Sequence, residues 1–330
     1  MKIDCPICGK KGYLSNEKRG NYKYNYIIHL YQENGKTKKK KHYIGKDMNQ
    51  IRAEIESLIS GQTTKKILGY PGGDYYTANE LTQRIINLCD KKCTFVEVFG
   101  GSGYISQTIN REKFTNIIYN DINDKLTTLL KLIKEKPEKL TPLLMLLPYG
   151  RSYHRFIREL YKESKNLGDL ETSVLLFYGM NTSFNHSIAK SGFSYAIVPY
   201  NNEAKKYKRQ IRNIFTIAEK WKDITIENLD FREVIKKYDN KETVFYLDPP
   251  FVFRSKEYYG IDFTINDLQD MAKILTQIKG KFLLKIDDKT FEFIKDILKN
   301  YKIEKLEKTL SMEKKRKEKR GKWTLILISN

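Results

Sequence analysis

Three clusters of residues in this 330-residue chain have side chains suited to chemistry. The first is Asp248-Pro249-Pro250-Phe251. The four apolar or aromatic residues before it, Val244-Phe245-Tyr246-Leu247, read as a buried strand. Two prolines end that strand, because neither can donate to a sheet ladder and each fixes its own φ. A carboxylate is thus held in a rigid turn at the carboxyl end of a strand, where open α/β sheets bind ligands. An ordinary Asp-Pro turn uses the same residue types. The second cluster is Gly100-Gly101-Ser102-Gly103, entered directly from the strand-like run Thr94-Phe95-Val96-Glu97-Val98-Phe99. Glycines here let the backbone turn sharply and approach a ligand closely, and the helix expected over 104–110 would offer its first amides to that ligand. Asp121 follows the next strand, 115–119, about 20 residues beyond the loop, placed to accept hydrogen bonds from two ribose hydroxyls. Capping of the helix over 123–135 is the competing use of that turn.

The third cluster is Cys5, Cys8, His29 and His42. A Cys-x-x-Cys followed by Gly9 brings two thiolates to one metal ion, and two imidazoles would complete a tetrahedral zinc site. Residues 1–46 are too short to bury a core unaided, so a metal would stabilise them. A metal-free pair of β-hairpins and a ribbon that has lost its second ligand pair are the alternatives.

The elements that must position these residues alternate strand and helix. Asp47 would cap a helix to about residue 60, and 61–66 reads as a linker. A Pro-Gly-Gly turn at 71–73 approaches a helix with Thr77 and Glu80 in capping-box spacing. Strands are expected over 94–99, 115–119, 224–226, 244–247 and 281–287, with a final hairpin of strands near 303–310 and 323–329. Between 137 and 222 the alternation breaks into helical spacing, read as an insertion. Within it, Asn181, Ser183, Phe184, Asn185 and Lys190 lie in a polar, aromatic stretch suited to base-edge and phosphate contacts, or forming a plain long loop.

The net charge is +21, unevenly placed: residues 1–46 carry a net +9 and residues 299–322 a net +7. Excess positive charge at both ends points to a polyanion, with nucleic acid the first candidate. Two basic stretches stand out, Lys38-Lys39-Lys40-Lys41 at an expected hairpin tip, and the run containing Lys315, Arg316 and Lys317 at the tip of the last hairpin. A lysine run is also often only a solvated loop. No apolar run approaches the ~20 residues that span a bilayer, four cysteines make no disulfide framework, and a cytoplasmic protein is expected.

In combination these motifs form a specific series: a Pro-Gly-Gly turn, Phe99-Gly100-Gly101-Ser102-Gly103, an acid after strand two, an insertion, Asp248-Pro249-Pro250-Phe251 and a final hairpin. Over roughly residues 67–330 the chain resembles the Dam-type DNA adenine methylases, which use S-adenosylmethionine. The resemblance implies an α/β, Rossmann-like methyltransferase sheet, mostly parallel with one antiparallel strand, an inserted helical target-recognition domain and a small zinc-ribbon-like β module. Its segments would be 1–46 (ribbon), 47–66 (helix and linker), 67–136 (first catalytic part), 137–222 (target recognition) and 223–330 (second catalytic part). It implies that Tyr70, Gly72 and Gly73 hold the amino-acid end of the cofactor, that Phe99, Gly101 and Gly103 line its approach, and that Asp121 takes the ribose. Asp230 and Phe231 would flank the cofactor's adenine, and Asp74, Glu97, Gly100, Ile122 and Asp248 complete the cofactor set. Asp74 stands where the family usually has lysine, and Phe251 where it more often has tyrosine.

The chemistry agrees independently. Adenine's exocyclic amine is a poor nucleophile because its lone pair is delocalised into the ring. The Asp248 carboxylate and the Pro249 carbonyl would accept its two hydrogens and favour a pyramidal nitrogen, so positioning supplies most of the catalysis. Phe251 would stack on a base turned out of double-stranded DNA. A cognate restriction nuclease and a monomeric or weakly dimeric state are expected. The alternatives are an RNA adenine methyltransferase of the same fold and a non-catalytic nucleic-acid-binding relic.

Overall fold

The computed structural model describes residues 2–5, 8, 10–19, 22–33, 35–45, 68–70, 77–163, 167–188, 191–196, 201–252, 262–309 and 322–330. The helix expected after Asp47, the linker, Gly72, Gly73, Asp74, Lys190 and the hairpin tip with Lys315, Arg316 and Lys317 lie outside them. The chain divides into two compact units, Met1–Lys65 and Lys66–Asn330.

The first unit is a four-stranded antiparallel sheet, with β1 (Lys2–Asp4), β2 (Lys11–Arg19), β3 (Tyr22–Glu33) and β4 (Lys36–Gly45) in that order. Tyrosines and isoleucines make β3 a good strand former. Its turn into β4 contains Gly35 at φ +71°. The lysine run 38–41 therefore does not sit at a hairpin tip. It lies along β4, an edge strand, where exposed lysines also discourage pairing with another sheet. Two of its members are paired, Lys38 with Glu33 and Lys41 with Glu17.

The second unit is built on a seven-stranded sheet, in the order β10-β11-β9-β8-β5-β6-β7. Its strands are β5 (Cys93–Glu97), β6 (Phe114–Asn120), β7 (Ile224–Glu227), β8 (Thr243–Leu247), β9 (Lys281–Asp287), β10 (Lys302–Thr309) and β11 (Lys322–Ser329). The pairs among β5 to β9 are parallel, β11 is antiparallel to β9, and β10 is antiparallel to β11, so β11 alone runs against the rest. This is the Rossmann-like sheet the sequence implies.

The central strand β8 is buried along its whole length because both faces of the sheet are covered there. Phe95, Ile117, Val244 and Tyr246 join one buried cluster, whereas Val96, Ile118, Phe245 and Leu247 join the other. The insertion is helical as expected, with helices Pro137–Leu146, Arg151–Glu163, Asp169–Thr182 and Glu203–Trp221. It helps cover the first face: Leu144, Ile157, Phe177 and Trp221 share the cluster of Phe95 and Tyr246. Two details differ from the sequence reading. Thr77 starts the helix Ala78–Asn87 without a side-chain cap, and Glu80 instead pairs with Arg84 at 3.2 Å. Cys89 and Cys93 form a disulfide.

Candidate functional site

β5 and β8 are parallel neighbours from which successive strands spread in opposite directions, β6 and β7 one way and β9 the other. Ligands bind in the crevice at the carboxyl ends of such a switch point. The glycine loop leaves β5 there, and Asp248 leaves β8 beside it, with Val98 N donating to Tyr246 O at 2.9 Å.

The glycine loop is tightly fixed. Gly100 N donates to Asn120 O at 2.7 Å and Gly103 N to Gly100 O at 2.8 Å. Gly101 and Gly103 have φ of +50° and +63°, where a side chain is strained. A Cβ at Gly100 would sit 2.1 Å from the Tyr119 ring, and one at Gly103 2.5 Å from Trp221. Tyr119 OH donates to Gly101 O at 2.8 Å. Burial, reinforced by Asp121, Tyr70 and Glu97, raises the Tyr119 phenol well above its ordinary value, so it stays a donor. Glu97 is buried, and its Oε2 accepts from Ser106 N at 2.8 Å and from the Ser106 hydroxyl, anchoring the helix Tyr104–Thr108. The Tyr70 ring lies over Gly101, where an added Cβ would approach it to 3.0 Å.

Asp121 is buried, and its two oxygens accept from Gly101 N at 2.8 Å and Asn123 N at 2.9 Å. Burial pushes its carboxyl above the usual range, while those two N–H groups oppose the shift. Capping of the helix Asp124–Glu135 falls to Asn123, which accepts from Leu126 N at 3.2 Å. Ile122, next to the acid, is 45% exposed, an apolar surface at the strand end. Asn120 ties three strand ends together: its Nδ2 donates to Val98 O and Leu229 O, and its Oδ1 accepts from Leu229 N.

Asp230 caps the helix Phe231–Tyr238, accepting from Arg232 N at 2.8 Å. Phe231 packs with Phe99 and Phe263 at ring separations of 5.8 and 6.0 Å. Arg232 lies over the Phe231 ring and pairs with Asp230, Asp267 and Asp270. Asp248, Pro249, Pro250 and Phe251 line a small, shallow depression shared with Lys285, Ile286, Asp287 and Thr290. Lys285 Nζ meets Asp248 Oδ2 at 2.5 Å.

The residues expected to touch nucleic acid divide. Asn181 and Ser183 are buried: Asn181 Nδ2 donates to Phe177 O, its Oδ1 accepts from Gly69 N at 3.4 Å, and Ser183 Oγ donates to Gly179 O. Asn181 belongs to the helix Asp169–Thr182 and Ser183 caps its end, so both hold the chain in place instead of presenting base-reading groups. Asn185 lies in a short 3₁₀ turn, Phe184–His186. Phe184 is 58% exposed. A strand-like bridge between Ser183 and Phe193 folds the segment back. The exposed Tyr195 then lies 5.1 Å from the Arg151 guanidinium, which also covers Phe193 at 5.4 Å.

In the first unit the ligand atoms of Cys5, Cys8, His29 and His42 all lie within 4.8 Å of one another. Cys5 Sγ is 3.2 Å from His42 Nδ1, and Cys8 Sγ is 3.6 Å from His29 Nε2. Zinc bond lengths in a tetrahedron require about 3.6 Å between such sulfur and nitrogen atoms. His29 Nδ1 lies 3.1 Å from Lys11 O, the carbonyl contact that directs the other ring nitrogen to a metal. Burial, then the charges of His29 and Lys40, push His42 below its usual value and favour the neutral imidazole a metal needs. The four residues fit a metal ion.

Sequence reasoning missed Asn120, Arg151, Phe263 and Lys285. Lys285 had a readable signal, a single charge interrupting the apolar run Phe282-Leu283-Leu284 before Ile286.

An open, mostly parallel sheet with a fixed glycine loop and an acid on neighbouring strands at its switch point defines an enzyme that binds a nucleoside-bearing cofactor. The profile of the D12 class N6 adenine-specific DNA methyltransferases matches residues 70–312. The Type II methyltransferase M.MjaIII of Methanocaldococcus jannaschii is 23% identical over 233 residues, covering 64% of this chain and 79% of that protein. A Pyrococcus horikoshii crystal structure described as a transferase aligns at a TM-score of 0.29 with 11% identity, over 85% of this chain and 82% of its own. This chain belongs to the D12 class N6 adenine-specific DNA methyltransferase family and is accordingly an adenine-specific DNA methyltransferase. The family uses S-adenosylmethionine as methyl donor. No described helix is long and apolar enough to cross a membrane.

Proposed function

We propose that this chain methylates the N6 amine of an adenine turned out of double-stranded DNA at a specific sequence, with Asp248 as the acceptor that positions that amine. The observation that carries this reading is the pairing of β5 with β8, which sets the glycine loop and the Asp248 turn side by side at one switch point. S-adenosylmethionine supplies an electrophilic methyl group on a sulfonium. The residues present suit it: left-handed glycines leave room for close approach, Tyr70 covers Gly101, and Ile122 offers an apolar face. Each Asp121 oxygen keeps a second lone pair for a ribose hydroxyl. Asp230 and the Phe99–Phe231–Phe263 group are assigned to the adenine end.

The Asp248 carboxylate and the Pro249 carbonyl accept the two amine hydrogens, and proline's fixed φ aims that carbonyl. As hydrogen bonds to acceptors draw the nitrogen toward pyramidal geometry, its lone pair becomes available. A C–N bond would form as the methyl carbon–sulfur bond breaks, leaving S-adenosylhomocysteine as a neutral thioether, and the surplus N6 proton would pass to solvent. Phe251 stacks on the extruded base, which offsets a few kcal/mol of unstacking by roughly 1–3 kcal/mol. Phe184 and Tyr195 are exposed aromatics, and Arg151 lies over the Tyr195 ring, an arrangement suited to contacts with DNA. Asp74, Gly72, Gly73, Asn185, Lys190 and the Lys315–Arg316–Lys317 tip are assigned cofactor or phosphate contacts on sequence grounds.

For the first unit we propose a structural Zn²⁺ held by Cys5, Cys8, His29 and His42. One equivalent of zinc in the purified protein, lost in the Cys5→Ser/Cys8→Ser variant, is the expected result. The likeness to a type II methyltransferase supports a cognate restriction nuclease as functional partner in the cytoplasm. The enzymatic reading is tested by incubating the protein with labelled S-adenosylmethionine and separate double-stranded DNA and RNA pools, then digesting to nucleosides. Label in N6-methyladenine from DNA is expected; label confined to RNA, or found on cytosine, overturns it.

A further inference from the structure

Lys285 is a charged residue in the middle of β9, and its side chain is 9% exposed. An ammonium withdrawn from water costs several kcal/mol unless it is paired. Leu247 and Leu284 are register partners in the parallel β8–β9 pair, so the next residues, Asp248 and Lys285, stand side by side. Their contact at 2.5 Å from Nζ to Oδ2 completes the pair. The other carboxylate lining the depression, Asp287, is committed to the helix Asp288–Phe291, accepting from Thr290 N at 3.0 Å and from the Thr290 hydroxyl at 2.6 Å.

We propose that Lys285 is a positioning residue for methyl transfer: it pins Oδ2 of Asp248 and so presents Oδ1 to the hydrogen of the substrate amine. A carboxylate at the end of a turn rotates about its last bond, and in most rotations neither oxygen faces a given donor. Lysine suits this task because it is a compact point charge that reaches one oxygen from the adjacent strand, whereas a guanidinium fork would engage both. The burial that makes the charge costly in a free lysine makes the pairing strong here.

This inference rests on Asp248 being the acceptor, and the test separates the two claims. Full-length Lys285→Met, Lys285→Arg, Asp248→Asn and the Lys285→Met/Asp248→Asn double variant are assayed on unmethylated plasmid DNA with labelled S-adenosylmethionine. In Lys285→Met, kcat falls about tenfold to a hundredfold, while KM for DNA and the Kd for S-adenosylmethionine change by less than about threefold. Lys285→Arg restores part of kcat, and the double variant is no slower than Asp248→Asn. Lys285→Gln, polar but uncharged, replaces Lys285→Met if that variant does not fold. A wild-type kcat in the uncharged variant overturns the proposal. So does a loss seen equally in kcat and in cofactor affinity, or one that multiplies with that of Asp248→Asn. Full activity in Asp248→Ala, assayed alongside because asparagine would keep an accepting oxygen, would instead remove the acceptor role of Asp248, whatever Lys285 does.

Discussion

The two units reach a fixed geometry by opposite routes. In the second, a seven-stranded sheet buries apolar side chains on both faces, and the site residues hang from strand ends that the core already fixes. In the first, where Cys5 and Ile27 are buried, four ligand-type side chains converge. Units of that size commonly gain stability from cross-links or metals. On the proposed zinc site, chemistry-bearing residues would play opposite parts: Asp248 depends on the fold around it, whereas the fold of the first unit would depend on Cys5, Cys8, His29 and His42.

The sharpest way to break this contrast is to remove the cluster. Structural zinc contributes roughly 10 kcal/mol or more to small domains, so Cys5→Ser/Cys8→Ser, or a strong chelator, removes amide-exchange protection from β1 to β4 and leaves β5 to β9 protected. Protection that persists in β1 to β4 would show that the hairpins hold without metal. The reciprocal change is Phe245→Ala, at a fully buried position of β8. It costs about 3–5 kcal/mol and lowers the melting temperature of the second unit; an unchanged melting temperature would contradict the burial account.

Gly103→Ala sharpens the comparison within the second unit. Its φ of +63° and the 2.5 Å approach to Trp221 leave no room for a methyl group. The loop must shift, and affinity for S-adenosylmethionine drops about tenfold, an effect worth ~1.4 kcal/mol, as read by calorimetry. Unchanged affinity would remove the glycine loop from the cofactor site.

The smallest effect concerns Arg232. Burial works to raise Asp267, but hydrogen bonds from Arg232 and Thr264 outweigh it and hold the carboxyl below its ordinary range. A carboxyl depressed on folding adds stability above its unfolded pKa and loses it as pH falls through the folded one. Arg232→Ala therefore destabilises the protein by about 1 kcal/mol at neutral pH, a difference that shrinks below about pH 4. A pH-independent difference in denaturation midpoint would count against the ion pairs as its source.

Much of this was legible in the sequence, for reasons that particular residues make plain. Val244 to Leu247 and Phe282 to Leu284 read as strands because both faces are buried and every position must be apolar. The glycine loop was legible because close backbone approach demands glycine, and Asp121 and Asp248 because each stands at the end of an apolar strand run. What stayed hidden depends on contacts between distant segments. Asn181 looked like a base-reading residue, but the helix runs on to Thr182 and turns its amide toward Gly69. The lysine run 38–41 looked like a tip because the length of β4 is set by pairing with β3. Lys285 gains its meaning only from strand register, which places it beside Asp248.

The central claim is that Asp248 is the acceptor that makes an adenine amine in DNA reactive. It is tested most directly by comparing wild type and Asp248→Ala for transfer of labelled methyl to DNA, with calorimetric titration of S-adenosylmethionine on both. Wild type should yield N6-methyladenine, and the variant should lose at least about a thousandfold in kcat while still binding the cofactor. An Asp248→Ala protein that methylates DNA at a rate near wild type would contradict the account.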